Sequence, residues 1–226
     1  MELKDSIALV TGSSKGIGRE CAVLLSKLGT KVVITYLSDK KGGEETLKEC
    51  NKYSDCLLLK LDVKSDASIS KGVKEIIKRY GKIDLLINNA GILYDKDFSD
   101  QSMREIEEQI NVNLIGSIRV TKFVLPYLIK RNEAVIINVS SQAGKYGHDG
   151  FTGYSPSKFG LRGFTQALAD ELPNNVRTYV VNPDTTRTAM SKFRGVSSDN
   201  VASIIINVAM ENIGKKSGED IDILNR

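Results

Sequence analysis

A tyrosine and a lysine four positions apart are the residues best suited to moving a proton. Tyr154 and Lys158 form the pattern Y-x-x-x-K, a spacing that places both side chains on one face of a helix. A tyrosine hydroxyl could donate the proton that the developing alkoxide needs when hydride reduces a ketone. That role requires a tyrosine pKa well below its usual value of about 10, and the nearby ammonium of Lys158 could lower it.

This pattern is weak evidence when it is taken alone. The chain has 8 tyrosines, and Tyr36 with Lys40 repeats the same spacing by chance. Only Tyr154 lies downstream of a serine that follows a predicted strand, Ser141. That serine could hold the substrate oxygen against the tyrosine hydroxyl, or it could simply cap the end of the strand. We predict that it belongs to the catalytic group.

A glycine-rich turn near the N-terminus could bind a pyrophosphate. Residues 11–18 read T-G-x-x-x-G-x-G, directly after a short apolar run and at the start of an amphipathic one. Gly12 suits a tight turn, Gly16 lets the backbone approach a phosphate, and Gly18 allows close packing. No Gly-Lys-Ser/Thr follows, which disfavours ATP chemistry. The turn predicts a dinucleotide site; the alternative is a glycine-rich connection without a ligand.

The elements that must position these residues alternate along the chain. Short β-branched runs alternate with longer amphipathic runs, as in βαβ units around a parallel sheet. We expect one α/β domain over residues 1–226, with a doubly wound parallel sheet of about seven strands and helices on both faces. Every functional motif should then lie beyond the carboxyl ends of the strands. The predicted strands are residues 7–11, 31–36, 56–61, 83–88, 134–140, 177–182 and 220–224.

Composition disfavours several other classes of protein. The net charge of +4 arises from 32 basic and 28 acidic residues without a basic stripe, which argues against nucleic-acid binding. We find neither a signal peptide nor an apolar stretch of bilayer length, so we expect no membrane partner. Three cysteines and the lone His148 lack metal-ligand spacing, so we predict no metal site, reduced thiols and a cytoplasmic protein. Glycines around His148 indicate an exposed loop rather than a catalytic histidine.

Four motifs agree in order and spacing with a known family. They are TGSSKGIG at residues 11–18, NNAG at residues 88–91, the Asn113 of VNL, and the set of Ser141 with Tyr154 and Lys158. Over essentially its whole length the chain resembles a short-chain dehydrogenase/reductase, nearest in pattern to the 3-oxoacyl-acyl-carrier-protein reductases. The resemblance implies a Rossmann fold and an NAD(P)-dependent oxidoreductase. Such an enzyme moves a hydride between nicotinamide and a ketone or secondary alcohol, in some members a 3-oxoacyl thioester.

The resemblance also assigns roles to individual residues. It implies four catalytic residues, namely Asn113, Ser141, Tyr154 and Lys158, with Asn113 holding a water in a proton relay. Asn88 supports the sheet, Asp62 and Val63 contact adenine, and Pro183 and Thr188 line the carboxamide end of nicotinamide. The full set of implied cofactor-binding residues is Gly12, Ser14, Lys15, Gly16, Ile17, Gly18, Tyr36, Ser38, Asp62, Val63, Asn89, Ala90, Gly91, Tyr154, Lys158, Pro183 and Thr188.

The end of the second predicted strand favours NADP(H) over NAD(H). An NAD-selective site usually places a carboxylate there to bind the ribose hydroxyls, but Asp39 comes two or three residues late. Lys15 in the glycine turn, with Lys40 and Lys41, could instead bind a 2′-phosphate, and Ser38 could add a neutral donor. The alternative is that these lysines are solvated and that either cofactor is accepted.

Two departures from the family pattern concern the substrate side. Asp184 replaces the glycine that usually follows the proline of the sixth strand. Residues 185–200 have no clear periodicity, which predicts a mobile loop, and the stretch between Thr188 and the last strand is short, which predicts an open substrate site. Four apolar residues could line that site or merely pack, namely Tyr94, Phe98, Met190 and Phe193.

Partners and alternatives follow from the same resemblance. Relatives that accept acyl carrier protein use basic residues near the entrance; Lys130 and Arg131 lie near one such place, but residues 173–175 are Pro-Asn-Asn at the other. Acyl-carrier substrates are therefore compatible with the sequence but not favoured over small carbonyl or alcohol substrates.

The resemblance to this family also implies a homodimer or homotetramer. The alternative function is an NAD(P)-sensing module without catalysis, which would predict a damaged catalytic group.

Overall fold

The computed structural model describes residues 1–214 and 216–224 around a central parallel sheet. The sheet contains seven strands in the order β3-β2-β1-β4-β5-β6-β9, all parallel, so the predicted doubly wound α/β fold is confirmed. The strands are β1 (Ile7–Val10), β2 (Lys31–Tyr36), β3 (Leu57–Lys60), β4 (Leu85–Asn88), β5 (Ala134–Val139), β6 (Val176–Pro183), the short pair β7 (Thr186–Arg187) and β8 (Val196–Ser197), and β9 (Asp220–Ile223). The assignment of residues 1–226 to one domain stays a prediction.

Helices cover both faces of the sheet. They are α1 (Gly16–Lys27), α2 (Lys40–Cys50), α3 (Asp66–Tyr80), α4 (Met103–Ile110), α5 (Ser117–Leu128), α6 (Tyr154–Glu171) and α7 (Ser198–Ala209). Buried residues of α1 and α7 share one hydrophobic core with the sheet, while those of α3, α5 and α6 share a second core on the other side. No helix among the described residues is both long and apolar enough to cross a membrane.

The central strands read as continuous apolar runs because both of their faces are buried. In β1, Ala8 and Val10 belong to the core beneath α1 and α7, whereas Ile7 and Leu9 belong to the core beneath α3 and α5. All four side chains are at most 2% exposed. Such strands lack the alternation of a half-exposed sheet, as expected for a parallel sheet covered by crossover helices.

Several observed strands differ from the predicted ones by a residue or two at their ends. Predicted strands 7–11, 56–61, 83–88, 134–140 and 220–224 are longer than β1, β3, β4, β5 and β9, and predicted strand 177–182 is shorter than β6. Thr11 and Ser140 still donate backbone hydrogen bonds to neighbouring strands, of 3.0 and 2.8 Å, but the chain turns immediately after them. The apolar pattern alone cannot locate these turns.

Residues 185–200 are more regular than the sequence predicts. The segment contains β7, a short 3-10 turn at Ala189–Ser191, and β8, which pairs in parallel with β7 before α7 begins. Gly195 has a φ of +94°, and a Cβ there would lie 1.8 Å from the carbonyl oxygen of Thr185. The sequence does not reveal these elements, because elements of two or three residues are too short to show periodicity. The mobility of this loop stays a prediction.

Candidate functional site

The glycine turn lies between β1 and α1, at the carboxyl edge of the sheet. Gly12 and Gly16 have φ values of +64° and +58°, which disfavour any other residue. A Cβ on Gly12 would lie 2.9 Å from the Cα of Ala90, and one on Gly18 would lie 2.4 Å from the amide nitrogen Nδ2 of Asn89. The turn is therefore packed directly on the segment that follows β4, and both motifs form one surface.

Side chains that the sequence analysis did not single out hold this turn. The hydroxyl Oγ1 of Thr35, at the buried end of β2, accepts a 3.0 Å hydrogen bond from the amide of Gly12. The backbone amide of Thr35 donates to Oγ of Ser13 at 2.8 Å. On the other side, Oγ1 of Thr11 accepts from the amide of Asn89 at 2.9 Å. A threonine inside an otherwise apolar strand is the sequence signal that could have identified Thr35.

The N-terminus of α1 is suited to an anion. Among the described residues, no side chain caps the first turn of α1, whose N-cap is Lys15. In contrast, Asp39, Ser65 and Ser102 accept hydrogen bonds from first-turn amides of α2, α3 and α4. Uncapped amides carry the positive end of the helix dipole, so they fit the pyrophosphate of a dinucleotide. Ser14, Lys15 and the partly buried Ile17 of the predicted cofactor set all lie at this turn.

The segment after β6 reaches the same turn. A Cβ on Gly16 would lie 3.2 Å from Cγ2 of Thr188, so Thr188 lies directly beside the glycine turn. Pro183 is buried at the end of β6. The carboxylate of Asp184 accepts a 2.6 Å hydrogen bond from the amide of Thr185. One of its oxygens is thus engaged by its own loop.

Asp62 and Val63 follow β3 at the far end of the edge. Asp62 accepts a 2.9 Å hydrogen bond from the amide of Lys64. Val63 is buried against Gly116, where a Cβ would lie 2.7 Å from Cγ2 of the valine. Leu37 and Asp62 line a cavity of about 400 Å³ that continues between β3 and α3. This cavity leaves space for a flat ring, such as the predicted adenine, at the β3 end of the carboxyl edge of the sheet.

The residues predicted to surround the adenosine ribose lie around the start of α2. Tyr36 packs on Gly43, where a Cβ would lie 3.3 Å from Cδ1 of the tyrosine. Ser38 is exposed. The carboxylate of Asp39 caps α2 by accepting from the amide of Gly42 at 3.0 Å. This bond uses Oδ1 only, so the expected NADP(H) preference rests on the position of Asp39, two or three residues later than the ribose ligand of an NAD-selective site.

The three lysines near this site differ in their surroundings. Lys15 and Lys41 are exposed, whereas Lys40 forms an exposed ion pair with Glu44, 3.3 Å apart. Exposed ion pairs contribute little, so this pair leaves Lys40 available to an anion. The chance pair formed by Tyr36 and Lys40 spans the end of β2 and the start of α2, so these two side chains do not share a helix face.

Asn88 connects the centre of the sheet to the helices behind it. Its Nδ2 donates to Oγ1 of Thr121 at 2.9 Å and to Oδ1 of Asn138 at 2.8 Å. Asn138 in turn donates to Oγ1 of Thr165 at 2.8 Å. These four buried side chains join β4 and β5 to α5 and α6, which fixes the helix that carries Tyr154.

Ser141, Tyr154 and Lys158 meet beside the end of β5. Tyr154 is 7% exposed at the start of α6, and the side chain of Ser141 lies beside its hydroxyl. The ammonium of Lys158 lies 5.5 Å from the centre of the Tyr154 ring and donates to the carbonyl oxygen of Val139 at 2.9 Å. Oγ of Ser141 also accepts from the amide of Ala143 at 3.1 Å, so the serine has the predicted capping contact as well.

The pKa values in this group differ from the sequence-based expectation. Burial raises the pKa of Tyr154 to about 12, against a lowering by its hydrogen bond with Ser141. Burial lowers the pKa of Lys158 to about 8. In the chain without a cofactor, the expectation that Lys158 lowers the pKa of Tyr154 is therefore wrong. Desolvation dominates, because the ammonium is directed at the carbonyl of Val139 rather than at the phenolic oxygen.

Comparison with known proteins identifies the family. The family model described as short chain dehydrogenase matches residues 6–197. The chain belongs to the short-chain dehydrogenase family. It is 39% identical to 3-oxoacyl-(acyl-carrier-protein) reductase FabG of Aquifex aeolicus, over 84% of this chain and 78% of that protein. The same enzyme of Thermotoga maritima is 35% identical, over 85% of this chain and 78% of that protein.

A solved structure shows the same fold. Levodione reductase superimposes with a TM-score of 0.89 at 21% identity, over 97% of this chain and 96% of that one. The membership establishes the reaction class: this short-chain dehydrogenase is an oxidoreductase that acts on CH–OH or C=O groups with NAD(P).

Asn113 of this short-chain dehydrogenase lies in a π-helical segment, Asn111–Gly116, between α4 and α5. Its Nδ2 donates to the carbonyl oxygen of Ile92 and to Oγ of Ser157, both at 3.0 Å, and its Oδ1 accepts from the amide of Ile92 at 2.8 Å. A Cβ on Gly91 would lie 3.3 Å from this Oδ1 and 3.7 Å from Nζ of Lys158. Nδ2 uses both of its protons in these bonds, and the backbone carbonyl oxygen of Asn113 accepts from Oγ of Ser117 at 3.0 Å. A water held by Asn113 stays a prediction.

The predicted substrate-side residues do not form a closed pocket. Phe98, Met190 and Phe193 are 66%, 45% and 68% exposed. Tyr94 is directed elsewhere, since its hydroxyl donates to Oε2 of Glu108 at 2.9 Å. The predicted exposed loop at His148 is confirmed. The open substrate site of this short-chain dehydrogenase stays a prediction.

Proposed function

We propose that this short-chain dehydrogenase reduces a ketone, with NADPH as the hydride donor. The observation that carries the proposal is that Ser141, Tyr154 and Lys158 meet at the same edge of the sheet as the glycine turn. Gly91 lies between Lys158 and that turn. When bound, the reduced dinucleotide supplies the hydride for the carbonyl carbon. The residues of this chain supply the proton and the orientation of the substrate oxygen.

The tyrosine is protonated and the lysine is charged under neutral conditions. A Tyr154 pKa of about 12 keeps the hydroxyl protonated at pH 7, but a general acid works best with a pKa near the working pH, so the donor role requires the bound cofactor and substrate to lower this pKa. A Lys158 pKa of about 8 keeps most of its ammonium charged at pH 7, where it can attract ribose or phosphate oxygens. Ser141 lies beside the tyrosine hydroxyl and can orient the substrate oxygen there.

The remaining predicted cofactor residues are assigned by their place at the edge. We propose that α1 amides and the glycine turn hold the pyrophosphate, with Asn89, Ala90, Gly91 and Thr188 beside the central part of the dinucleotide. Asp62 and Val63 would contact adenine, Tyr36 and Ser38 the ribose, and Pro183 the nicotinamide end. The cradle where a Cβ would meet Ala90 or Asn89 supports this assignment.

NADPH is expected to be used with at least about tenfold higher kcat/KM than NADH, since one or two lysines near the ribose favour a 2′-phosphate. Lys15, in the glycine turn, is expected to carry most of this preference, with Lys40 and Lys41 contributing from the start of α2. Lys15→Ala should reduce the NADPH preference, and Lys40→Ala should change it less. Initial rates at fixed ionic strength measure both ratios. Equal efficiencies in the parent enzyme, or better use of NADH, would contradict the proposal.

Substrate recognition is proposed to involve small carbonyls rather than the acyl carrier. Lys130 and Arg131 follow α5 at the amino edge of the sheet, opposite the site, and Arg131 is paired with Asp84 at 2.7 Å. Asn175 lies at that edge too, since its carbonyl accepts from the amide of Ala134. Within one chain, these three residues therefore lie at the edge of the sheet opposite the site. The expectation that they lie near the substrate entrance is wrong for a single chain. Because the chain is similar to two FabG enzymes, a 3-oxoacyl thioester stays a candidate substrate.

A carbonyl panel tests both the activity and the substrate class. We expect NADPH-dependent turnover of free ketones or small 3-oxoacyl thioesters, with less than about a hundredfold preference for the same acyl group on its carrier protein. NADPH absorbance gives the rates. A several-hundredfold carrier preference would overturn the substrate assignment. Tight NADPH binding without turnover of any member would instead favour the sensing module.

Two further properties are proposed from the family resemblance. We expect a homodimer or homotetramer and a cytoplasmic location, as for an enzyme of small soluble substrates. The binding-module alternative has less support, since Asn113, Ser141, Tyr154 and Lys158 are all present.

A further inference from the structure

The last strand of the sheet carries two carboxylates on one face. In β9, Ile221 and Ile223 are directed into the hydrophobic core beneath α7. Asp220 and Asp222 alternate with them, so both carboxylates lie on the opposite face. No sequence motif involves either residue. Both accept from Nδ2 of Asn182 on β6, and their other contacts lead to α6 and to the segment that follows the predicted catalytic serine.

Asp222 holds the short 3-10 turn that follows Ser141. Its Oδ2 accepts from Nζ of Lys145 at 2.5 Å, and its Oδ1 accepts from Nε2 of Gln142 at 3.2 Å. Nε2 of Gln142 also donates to the carbonyl oxygen of Asn182 at 2.9 Å. One carboxylate therefore contacts both ends of the segment from Gln142 to Lys145.

Asp220 holds the same turn through α6. Nε of Arg162 donates to Oδ2 of Asp220 at 2.8 Å, and Nη2 donates to the same oxygen. The third nitrogen of the guanidinium, Nη1, donates to the carbonyl oxygen of Gly144 at 2.7 Å. Arg162 lies one helical turn after Lys158. A Cβ on Gly144 would lie 2.9 Å from the carbonyl oxygen of Lys158, so the 3-10 turn packs on the backbone of α6.

The two ion pairs are partly buried. Side-chain exposures are 23% and 32% for Lys145 and Asp222, and 20% and 19% for Arg162 and Asp220. In contrast, the surface pair of Lys40 with Glu44 is 68% and 56% exposed. Partly buried, multiply hydrogen-bonded pairs restrict geometry more than exposed pairs, whose contribution is small.

We propose that Asp222 and Asp220 are positioning residues for the reaction. They hold the turn after Ser141 against α6, and thereby keep the serine hydroxyl within hydrogen-bond reach of Tyr154. Neither carboxylate touches the reacting atoms. The inference rests on the proposed ketone reduction for its kinetic consequence, but the geometric effect on the turn does not depend on which substrate is used.

Asp222→Asn provides the kinetic test. We expect kcat for a ketone to fall about tenfold, with NADPH Kd within about twofold, because misplacing a positioned group lowers turnover more than binding. Asp222→Glu should recover a large part of kcat. The matched control is Glu133→Gln, which breaks the 2.5 Å pair with Arg177 at the opposite edge of the sheet, with exposures of 24% and 43%. The control should leave kcat within about twofold.

Hydrogen exchange gives a second readout that needs no turnover. In Asp222→Asn, amides in a peptide spanning residues 140–146 should exchange about tenfold faster, while a peptide spanning residues 11–18 stays unchanged. Unchanged exchange at residues 140–146, or equal loss of kcat in Glu133→Gln, would refute the positioning role. If the parent enzyme reduces no ketone, the proposed function fails, while the exchange comparison still decides the positioning.

Discussion

Tyr154→Phe is expected to lower kcat by about a thousandfold, because the substitution removes the proton donor. The change deletes one hydroxyl and leaves the ring in its edge-on contact with Phe151, 5.6 Å between centroids. NADPH affinity should stay near the parent value, since the hydroxyl contributes little to holding the dinucleotide. Steady-state kinetics and a fluorescence titration with NADPH measure the two quantities.

The matched control for this substitution is Tyr146→Phe. Tyr146 lies in the loop before α6 and is 64% exposed, so removing its hydroxyl should leave both kcat and NADPH affinity unchanged. Substantial residual reductase activity in purified Tyr154→Phe would falsify the role of the tyrosine. A parallel loss of NADPH binding would show instead that the hydroxyl helps to hold the cofactor.

The sequence predicts the sheet and the position of the motifs well, because both depend on local pattern. Buried parallel strands such as β1 are apolar throughout, and the helices between them have a clear apolar face. The alternation of strands and helices can therefore be predicted from the sequence. Once parallel strands are assigned, their carboxyl ends must share one edge. That geometry brings the glycine turn, residues 88–91 and Tyr154 together without any knowledge of contacts.

Other features depend on contacts between distant residues and are not predictable from pattern. The network around Asp222 joins positions about 80 residues apart. Thr35 lies inside predicted strand 31–36 and belongs to no motif, although its hydroxyl accepts a hydrogen bond from the amide of Gly12. Polar residues in such places have no periodicity, so only the folded structure shows what they bind.

The direction of the tyrosine pKa is the most instructive difference. A spacing of four places Lys158 near Tyr154, but it gives neither the depth of burial nor the direction of the ammonium. In the structure desolvation acts on both groups, raising the pKa of the phenol and lowering that of the amine. A pattern identifies which groups meet, whereas burial decides which protonation state each one favours.

Lys158→Met is expected to remove activity and at the same time to stabilise the fold. Loss of the ammonium should lower kcat by about a hundredfold and weaken NADPH binding, because this charge lies at the proposed cofactor edge. The stability change has the opposite sign. Burial lowers the pKa of Lys158 from 10.5 to about 8, so at pH 7 the native state carries a charge in an unfavourable place.

The pH window follows from which state binds the proton. Between about pH 8 and pH 10.5 the unfolded chain keeps the Lys158 proton while the native state loses it, so parent stability gains from this group as pH rises. The full difference corresponds to about 3 kcal/mol, less about 1 kcal/mol for the hydrogen bond to Val139 that methionine cannot make. At pH 7 the variant should therefore be more stable by about 2 kcal/mol.

Urea unfolding of both proteins at pH 7 and pH 10, without added dinucleotide, measures this difference. Other ionisable groups are shared, so their titration cancels between parent and variant, and the advantage of Lys158→Met should shrink as pH rises through the window. Lys122→Met, at an exposed position of α5, is the control and should give a difference near zero at both pH values. The prediction fails if the variant is less stable than the parent at pH 7, or if its gain in free energy of unfolding does not change with pH. Either result would show that burial does not disfavour the charged form of Lys158. The expected combination of lost turnover and gained stability would mean that the fold tolerates a costly buried charge because the reaction needs it.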